Sequence, residues 1–321
     1  MKVFLTGASG FIGNQILRRL LADGHEVTVL VHSRAVEPIP GFTFREVRGH
    51  LTDPEELTHL MAGHEAVIHS AGLISFRKRD KARLFETNTM GTRSVVLACK
   101  LSGVKRLIHV GTVAALGASP VHGFYKPTYP YNLKSLRVNY SITKYLADQE
   151  VMRGFYEGLE TIILSPGNVI GPGDIHRSNL SHFKAGRAPL PVSPAGGVSV
   201  VDVRDVADVS VMALTGGVPG SRYVLSAETT TYAGYLDLIG GRRGRVILPR
   251  WLNLALGYGA ELISSVTGLR LPLTIEKGRL SGYYFWFDGS ETARTFQFTY
   301  RPIRISVKDS LDWYMKQGVL S

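Results

Sequence analysis

Short apolar runs alternate with longer segments of helical hydrophobic spacing through the first half of the chain. The apolar runs are continuous rather than alternating, as expected for strands buried on both faces of a parallel sheet. We predict strands at Val3–Leu5, Val27–Val31, Phe44–Val47, Ala66–Ile68, Leu107–Val110 and Thr161–Leu164, and helices at Phe11–Ala22, Pro54–Met61, Lys81–Leu101 and Val138–Gly158. Repeated strand–helix–strand units favour right-handed crossovers, so the pattern predicts an α/β fold with a doubly wound parallel sheet.

The composition of the sequence changes after Leu164. Prolines and glycines crowd residues 165–197, which we predict to be rich in loops. Beyond them the pattern predicts strands at Val198–Val203 and Tyr223–Leu225, a helix at Asp202–Leu214, and mostly helix over residues 230–318 with a weak strand near Gly244–Leu248. We therefore predict a sheet domain at residues 1–165, to which residues 198–225 return, and a smaller, mostly helical C-terminal lobe at residues 166–321.

Composition places the chain among ordinary globular proteins. Of its 321 residues 44% are hydrophobic and 20% are charged, which argues against disorder and allows a sizeable core. Cys99 is the single cysteine; it excludes an internal disulfide framework, fits a reducing, cytoplasmic location, and is predicted to be a small core residue. No run of about 20 apolar residues exists, so we expect no stable membrane insertion. No grouping of His, Asp and Glu has metal-ligand spacing, so we expect no metal.

The formal net charge of +11 is unusually high. Basic residues cluster within residues 77–83 and 242–245. They form either a solvated surface or a complement to an acidic ligand such as a phosphorylated cofactor. We expect no nucleic-acid partner, because no helix-turn-helix, zinc or aromatic RNA-binding signature accompanies the charge.

The stretch TGASGFIG at residues 6–13 places three glycines between the first predicted strand and the first predicted helix. Unpaired N–H groups and the helix dipole make such a helix start a site for anions. Gly7 permits a tight turn, Gly10 lets a pyrophosphate approach the backbone, and Gly13 lets the helix pack closely on the strand. The spacing is GxxGxxG rather than the common GxGxxG, and a plain corner is the alternative. The position directly after the first strand favours a dinucleotide-binding turn.

The end of the second predicted strand bears on which dinucleotide binds. In NAD-binding proteins an acidic residue there accepts a hydrogen bond from the ribose 2′-hydroxyl. Here the strand runs into His32, Ser33 and Arg34, without a carboxylate. Unless Arg34 is simply an exposed arginine, it can hold a 2′-phosphate together with Ser33 and His32. The sequence therefore favours NADP(H) over NAD(H).

Tyr140 and Lys144 stand four residues apart in a predicted helix, so their side chains share one face. A cation held beside a phenol stabilises the phenolate and lowers the tyrosine pKa from about 10. Such a tyrosine can act as a general acid or base near neutral pH. The YxxxK pattern alone is common by chance, and it gains weight from the glycine turn in the same chain.

Four motifs together resemble the extended short-chain dehydrogenase/reductases: TGASGFIG, Asn88 in ETNTMGT, Thr112 in VGTVAALG, and YSITK from Tyr140 to Lys144. The segments SPGNVIGPGD and VVDVRDVADV are similar to later family segments, and YRPIRISVKDSLDWYMKQG looks like the C-terminal helix of dihydroflavonol reductase-like members. Related sugar epimerases are also similar. The resemblance implies an enzyme with a Rossmann dinucleotide-binding domain and a C-terminal substrate lobe.

The resemblance also implies residue roles. Tyr140 is expected to exchange a proton with the substrate oxygen, and Lys144 to lower the Tyr140 pKa and bind the nicotinamide ribose. Thr112 is expected to donate to the substrate oxygen, and Asn88 to support a proton-relay water. The expected cofactor contacts lie along the carboxyl edge of the sheet: Gly7, Gly10, Phe11, Ile12, Gly13, His32, Ser33, Arg34, Leu51, Ala71, Gly72, Tyr140, Lys144, Pro166 and Asn168. For Asn168, a role confined to the turn is an equal alternative.

Some positions depart from the family pattern. Gly111 lacks a hydroxyl that is often found before Thr112, His50 stands where an aspartate near the adenine is frequent, and Ser165 replaces a common arginine. None of these changes removes a member of the catalytic set. His69 and His109 end apolar strands and are expected to be packed residues rather than catalytic ones.

These features predict an NADP(H)-dependent oxidoreductase that interconverts a carbonyl and a secondary alcohol of a small molecule, of dihydroflavonol reductase-like type. The alternatives are a nucleotide-sugar epimerase or dehydratase and, less favoured, an NADP-binding regulatory protein without catalysis. A homodimer is common in families of this resemblance. The apolar segment at residues 251–269 is either an interfacial membrane helix or a lobe helix that lines an apolar pocket; Glu261 and its small residues favour the second.

Overall fold

The structure, a computed structural model, describes residues 1–32, 35–241, 244–269, 271 and 273–320. Its first half contains strands β1 Lys2–Thr6, β2 Glu26–Val31, β3 Arg45–Arg48, β4 Ala66–His69, β5 Arg106–Val110 and β6 Glu160–Pro166, and helices α1 Phe11–Ala22, α2 Pro54–Met61, α3 Lys81–Leu84, α4 Gly91–Ser102 and α5 Asn139–Tyr156. The six strands predicted for this half are all present, and the predicted bounds of α1 and α2 are confirmed.

The second half adds shorter elements. They are strands β7 Asn168–Ile170, β8 Val192–Pro194, β9 Gly197–Asp202, β10 Arg222–Leu225, β11 Glu228–Thr231, β12 Val246–Leu248 and β13 Tyr284–Phe285, and helices α6 Leu180–Arg187, α7 Val203–Met212, α8 Tyr232–Gly240, α9 Arg250–Thr267, α10 Ile275–Leu280, α11 Ser290–Thr295 and α12 Ile303–Lys316.

Seven parallel strands form the main sheet in the order β10–β6–β5–β4–β1–β2–β3. The chain builds the sheet outward from β1 to β3 and then returns to the other side of β1 with β4. The order therefore reverses between β1 and β4, where Thr6 pairs with His69. In doubly wound sheets ligands bind outside the carboxyl ends of the strands at this point. The predicted α/β fold is confirmed.

Helices cover both faces of this sheet. Helices α1 and α7 contribute residues such as Leu20 and Val206 to the core on one face. On the other face α2, α4 and α5 bury residues such as Val95 and Val151. Strands covered on both sides need apolar residues at successive positions, which explains the continuous apolar runs in the sequence.

The C-terminal region forms a second, smaller layer of structure. Strands β7, β9, β11 and β13 make a four-stranded sheet, and β8 pairs with β12. Residues 165–197, predicted to be rich in loops, also contain the short elements α6, β7 and β8. Strand β10 joins the main sheet beside β6 and α7 packs on α1, whereas β9 belongs to the second sheet. The boundary between sheet domain and lobe stays a prediction.

The predicted helix Lys81–Leu101 is interrupted, which corrects the sequence-based expectation of one continuous helix. Residues Phe85–Met90 form a π-helical turn between α3 and α4. Such turns insert one residue into a helix and occur often at functional sites. The turn carries Asn88, whose side chain is directed at the loop after β4.

Candidate active site

The turn between β1 and α1 has a shape that only glycine permits. Gly7 has a φ of +80°, and a Cβ there would lie 2.6 Å from the backbone nitrogen of Ala71. A Cβ on Gly13 would lie 2.1 Å from the carbonyl oxygen of Gly7. The amide of Gly10 donates to that same oxygen at 2.9 Å, which closes the turn.

The start of α1 fits an anionic group. Gly10 supplies no side-chain cap, and the first turn contains no acidic residue. Phe11, Ile12 and Gly13 begin the helix, where backbone N–H groups and the helix dipole favour negative charge. The residues present therefore fit the pyrophosphate of a dinucleotide.

The loop after β4 lies directly across from this turn. The amide of Ala71 donates to the hydroxyl of Thr6 at 3.3 Å, and Gly72 follows on the exposed side. The buried ring of His69 bonds Thr6 through Nδ1 at 2.7 Å and Thr92 through Nε2 at 3.0 Å. Burial, followed by the electrostatic effects of His109 and Lys144, lowers the pKa of His69 well below its usual value. His69 is thus a neutral, packed residue, as the sequence predicts.

At the end of β2 the structure brings together two histidines that the sequence analysis treated separately. The rings of His32 and His50 meet edge to face with centroids 4.9 Å apart, and both residues are exposed. Leu51 packs against Gly91, where a Cβ would lie 2.7 Å from its Cδ2 atom. Ser33 and Arg34, the predicted 2′-phosphate ligands, lie outside the described residues.

Tyr140 and Thr112 lie near each other. Tyr140 lies in the first turn of α5 and Thr112 follows β5, and the Thr112 hydroxyl is close enough to the phenol to lower its pKa. The hydroxyl of Ser141 donates to the carbonyl of Ala114 at 2.6 Å and so fastens the segment after Thr112 to α5. The ring of Phe76 packs edge-on against Tyr140 at 5.6 Å between centroids.

Burial raises the pKa of Tyr140 to about 12; the nearby Thr112 hydroxyl opposes the rise and the charge of Asp148 adds to it. This net direction is opposite to the lowered pKa expected from the sequence, and an effect of Lys144 on the phenol stays a prediction. Burial also lowers the pKa of Lys144 to about 8, while the charge of Asp148 opposes this shift. Near neutral pH the pair is therefore a protonated phenol beside a mostly protonated amine.

The amine of Lys144 contacts a cluster of buried polar groups. Its Nζ donates to the carbonyl of Val110 at 3.0 Å and lies 3.4 Å from Nε2 of His109. The same imidazole nitrogen lies 3.4 Å from Oδ1 of Asp148. Burial, followed by the charge of Lys144, lowers the pKa of His109 to about 4, so His109 is neutral at physiological pH.

Asp148 pairs in turn with Arg222 of β10, which also donates to the hydroxyl of Ser165 at 3.1 Å. Burial disfavours the charged carboxylate, but Arg222 and His109 outweigh this effect and hold the pKa of Asp148 at about 2. Asp148 is therefore ionised at physiological pH and supplies a negative counter-charge to Lys144. The one hint of this arrangement that the sequence analysis noted is Ser165, which stands where family members commonly carry an arginine.

Asn88 is buried between the loop after β4 and α5. Its amide accepts from the backbone N–H of Leu73 at 2.8 Å, donates to the Leu73 carbonyl at 3.0 Å, and donates to Thr143 at 3.2 Å. Asn88 thus joins the two segments that flank Tyr140.

The remaining predicted contacts lie at the end of β6. Pro166 is the last residue of β6 and is buried. Asn168 begins β7, and its amide donates to the hydroxyl of Tyr235 at 3.1 Å. In the described structure Asn168 therefore connects β7 to α8.

Sequence reasoning missed one long-range contact at the start of α5. Val138 provides no side-chain cap for this helix. Instead the carboxylate of Glu276, on α10, accepts from the backbone N–H of Asn139 at 3.1 Å and from its side-chain amide. Glu276 thereby holds the residue next to Tyr140, and no local motif points to it.

Two further findings concern metal binding and membrane-spanning helices. Among residues 1–32, 35–241, 244–269, 271 and 273–320, no three His, Cys, Asp or Glu side chains are grouped to hold a metal ion. Within the same part of the chain, none of the helices has both the length and the apolarity needed to cross a bilayer.

The comparison with known families accords with this geometry. A model of the NAD dependent epimerase/dehydratase family matches residues 3–226. The chain belongs to this family. The resemblance to extended short-chain dehydrogenase/reductases is thereby confirmed, and the protein is an enzyme of a group that uses NAD(P).

Relatives in this family align over the full chain. A Synechocystis protein provisionally named a dihydroflavonol 4-reductase is 26% identical over 98% of this chain and 95% of its own length. Sterol demethylase protein B of Methylococcus capsulatus is 28% identical over all of both chains. The crystal structure of gox2253 superposes with a TM-score of 0.83 and 26% identity, covering 99% of both chains. Matches to about half of the chain include reductases and dehydrogenases.

Proposed function

We propose that this enzyme interconverts a carbonyl group and a secondary alcohol of a small molecule with NADP(H). The observation that carries the proposal is the placement of the Tyr140 phenol near the Thr112 hydroxyl, one helical turn from the buried Lys144. A phenol with a pKa near 12 is protonated at neutral pH and can donate to a carbonyl oxygen. The provisional name of the Synechocystis relative is that of a reductase, which supports the same direction.

The chain's own residues can perform the proton half of this reaction. When bound, NADPH supplies the hydride that reaches the carbonyl carbon. The Thr112 hydroxyl donates a hydrogen bond to the carbonyl oxygen, and the Tyr140 phenol gives that oxygen its proton. The charge of Lys144 stabilises the phenolate that remains, and Asp148 and His109 keep Lys144 in place. In the reverse direction Tyr140 phenolate removes the proton of the alcohol.

We assign the pyrophosphate to the backbone of Gly10, Phe11, Ile12 and Gly13, and the nicotinamide ribose to Tyr140 and Lys144. Ala71, Gly72 and Pro166 are proposed to line the cofactor between these ends. The preference for NADP(H) rests on the sequence HSR at residues 32–34, which offers cations and no carboxylate to a 2′-phosphate. The substrate is proposed to lie between this edge of the sheet and the C-terminal lobe.

An absorbance screen for NADPH oxidation tests the proposal. The panel contains ketosteroids, flavonoid-like ketones, aldehydes and keto-sugar nucleotides. Net oxidation of NADPH with a ketone or aldehyde, and tighter binding of NADPH than of NADH, are the expected results. A cofactor that copurifies and does not exchange, with conversion of a sugar nucleotide and no net NADPH use, would instead establish an epimerase. Tighter binding of NADH would refute the assignment at Arg34.

A further inference from the structure

Helix α9 turns its large apolar side chains away from the protein. Trp251, Tyr258, Leu262 and Val266 recur at spacings of seven, four and four residues, so they lie along one face. Trp251 is 69% exposed, Leu262 66% and Val266 79%, and Tyr258 is also exposed. This is the reverse of an ordinary amphipathic helix, which buries its apolar stripe.

The packing of α9 explains why these side chains stay outside. Its inner face carries small residues that contact α10 closely. A Cβ on Gly257 would lie 2.7 Å from the carbonyl oxygen of Thr274, and a Cβ on Gly278 would lie 3.0 Å from the Cα atom of Leu254. The two helices therefore meet backbone to backbone and leave no room for a large side chain between them.

Exposed apolar residues also flank the helix on both sides in the chain. Val246 and Ile247 of β12 are exposed and lead through Pro249 directly into α9, and Leu269 is exposed just after it. We call the outward side chains of Trp251, Tyr258, Leu262, Val266 and Leu269 the α9 face. An exposed apolar stripe along one helix face commonly marks an interaction site. The helix therefore does not bury this stripe in a pocket, which the sequence analysis had favoured.

Charge distinguishes the possible occupants of the α9 face. Arg250 and Glu261 are the only charged residues from 250 to 269, so the face itself is neutral, while the whole chain carries +11. Two copies of a cationic protein repel each other, whereas an anionic surface attracts each copy. Tryptophan and tyrosine are also the side chains enriched where a bilayer meets water.

We propose that the α9 face docks the protein reversibly on an anionic lipid surface. The apolar side chains would enter the boundary between headgroups and acyl chains, and the net positive charge would add attraction to anionic lipids. The proposal concerns peripheral binding and is independent of the reaction that the active site catalyses.

Co-sedimentation with vesicles tests it. The full chain is mixed with vesicles of phosphatidylcholine containing phosphatidylglycerol, and with vesicles of phosphatidylcholine alone. We expect binding to the anionic vesicles that weakens with salt, little binding to the neutral ones, and a blue shift of tryptophan emission on binding. The shift should vanish in Trp251→Phe, which leaves Trp286 and Trp313 in place.

A matched pair of double variants separates the face from bulk charge. L262E/V266E places two carboxylates on the α9 face, and Y156E/V218E places two at exposed apolar positions elsewhere. We expect the first to weaken vesicle binding at least about tenfold more than the second, because each buried apolar side chain contributes roughly tenfold or more. Equal binding by the two variants, or no vesicle binding by the wild type, overturns the proposal. Self-association that L262E/V266E abolishes, without vesicle binding, would show that a second copy covers the face.

Discussion

Arg222, on the edge strand β10, forms an ion pair with Asp148 of the neighbouring helix α5. The Asp148 side chain is fully buried and the Arg222 side chain is 20% exposed, so water screens this pair poorly. The guanidinium also reaches the hydroxyl of Ser165. A positive group therefore stands beside position 165, although the residue there is serine.

Replacing Arg222 by leucine should destabilise the protein. The variant leaves the Asp148 carboxylate buried without its main counter-charge, which typically costs about 3–5 kcal/mol of unfolding free energy. Chemical denaturation at neutral pH measures the loss. Arg222→Lys keeps the charge and should retain most of the stability; if both variants lose equally, the ion pair is not what stabilises this edge.

The same pair makes a pH prediction. The pKa of Asp148 is about 2 in the folded protein and near 3.9 in an unfolded chain, so its ionisation adds stability above about pH 4. That contribution is lost as the pH falls from about 4 to about 2. The stability gap between wild type and Arg222→Leu should therefore be widest above about pH 4 and narrow below it. A gap that does not change with pH would assign the effect to packing.

Removing the Tyr140 hydroxyl should remove the proton transfer. Tyr140→Phe keeps the contact with Phe76 but cannot donate to the substrate oxygen, so kcat should fall by about 10²- to 10⁴-fold. Cofactor binding should weaken much less than kcat falls, because at most one proposed contact to the nicotinamide ribose is lost. Tyr156→Phe, at the exposed end of the same helix, is the matched control and should keep full activity. Steady-state kinetics on a substrate from the NADPH screen makes the comparison.

Glu276 should position Tyr140 by capping α5. Glu276→Ala removes the acceptor for Asn139 and is expected to cost about 1 kcal/mol of unfolding free energy and to lower kcat more than it changes KM. Glu276→Gln keeps one amide oxygen as an acceptor and should restore part of both. Glu291→Gln, in the first turn of α11, should alter neither quantity.

The sign of the pH effect at Glu276 is opposite to that at Asp148. Burial raises the pKa of Glu276 despite its hydrogen bonds from Asn139. Its protonation therefore favours the folded state below the pKa of an unfolded chain, about 4.3, and the gain is lost as pH rises through the folded pKa. Relative to Glu276→Gln, wild type should gain stability over the range in which the pH falls from neutrality towards the unfolded-state pKa of about 4.3. Thermal unfolding of both proteins across this range decides the point.

Gly13→Ala should abolish cofactor binding. A methyl group there would lie 2.1 Å from the Gly7 carbonyl, so the turn must open and lose its shape. We expect a stability loss of about 1–3 kcal/mol or more and no detectable NADPH fluorescence change. Gly259→Ala meets no atom within 4 Å and lies inside α9, where alanine is favoured, so it should not destabilise. Normal NADPH binding by Gly13→Ala would refute the pyrophosphate assignment.

Elements with local signals could be predicted from the sequence. The start of α2, for example, could be predicted because Asp53 is an N-cap that accepts hydrogen bonds from the amides of Glu55 and Glu56, and Pro54 is the first helical residue. Strands β7 and β13 contain only three and two residues, too few for a recognisable pattern. The π-helical turn around Asn88 shifts the helical period by a single residue, which hydrophobic spacing does not resolve.

The residues of the candidate site also fall into two groups, those that a local sequence motif predicts and those that it does not. Tyr140, Lys144 and the glycine turn lie in short motifs whose spacing reflects their geometry. The contact between Asn139 and Glu276 spans 137 positions, and that between Asp148 and Arg222 spans 74, so neither leaves a local trace. The pKa of Tyr140 could not be predicted either, because it depends mainly on burial, which only the folded structure shows.

The placement of β10 and α7 determines how the chain can be cut and recombined. A fragment that stops at residue 165 lacks both the helix that covers α1 and the arginine that neutralises Asp148. The seven-stranded sheet and its covering helices are therefore not built from one contiguous stretch of the chain. Chimaeras between relatives should fold only when the crossover lies beyond Leu225, close to where the family match ends at residue 226.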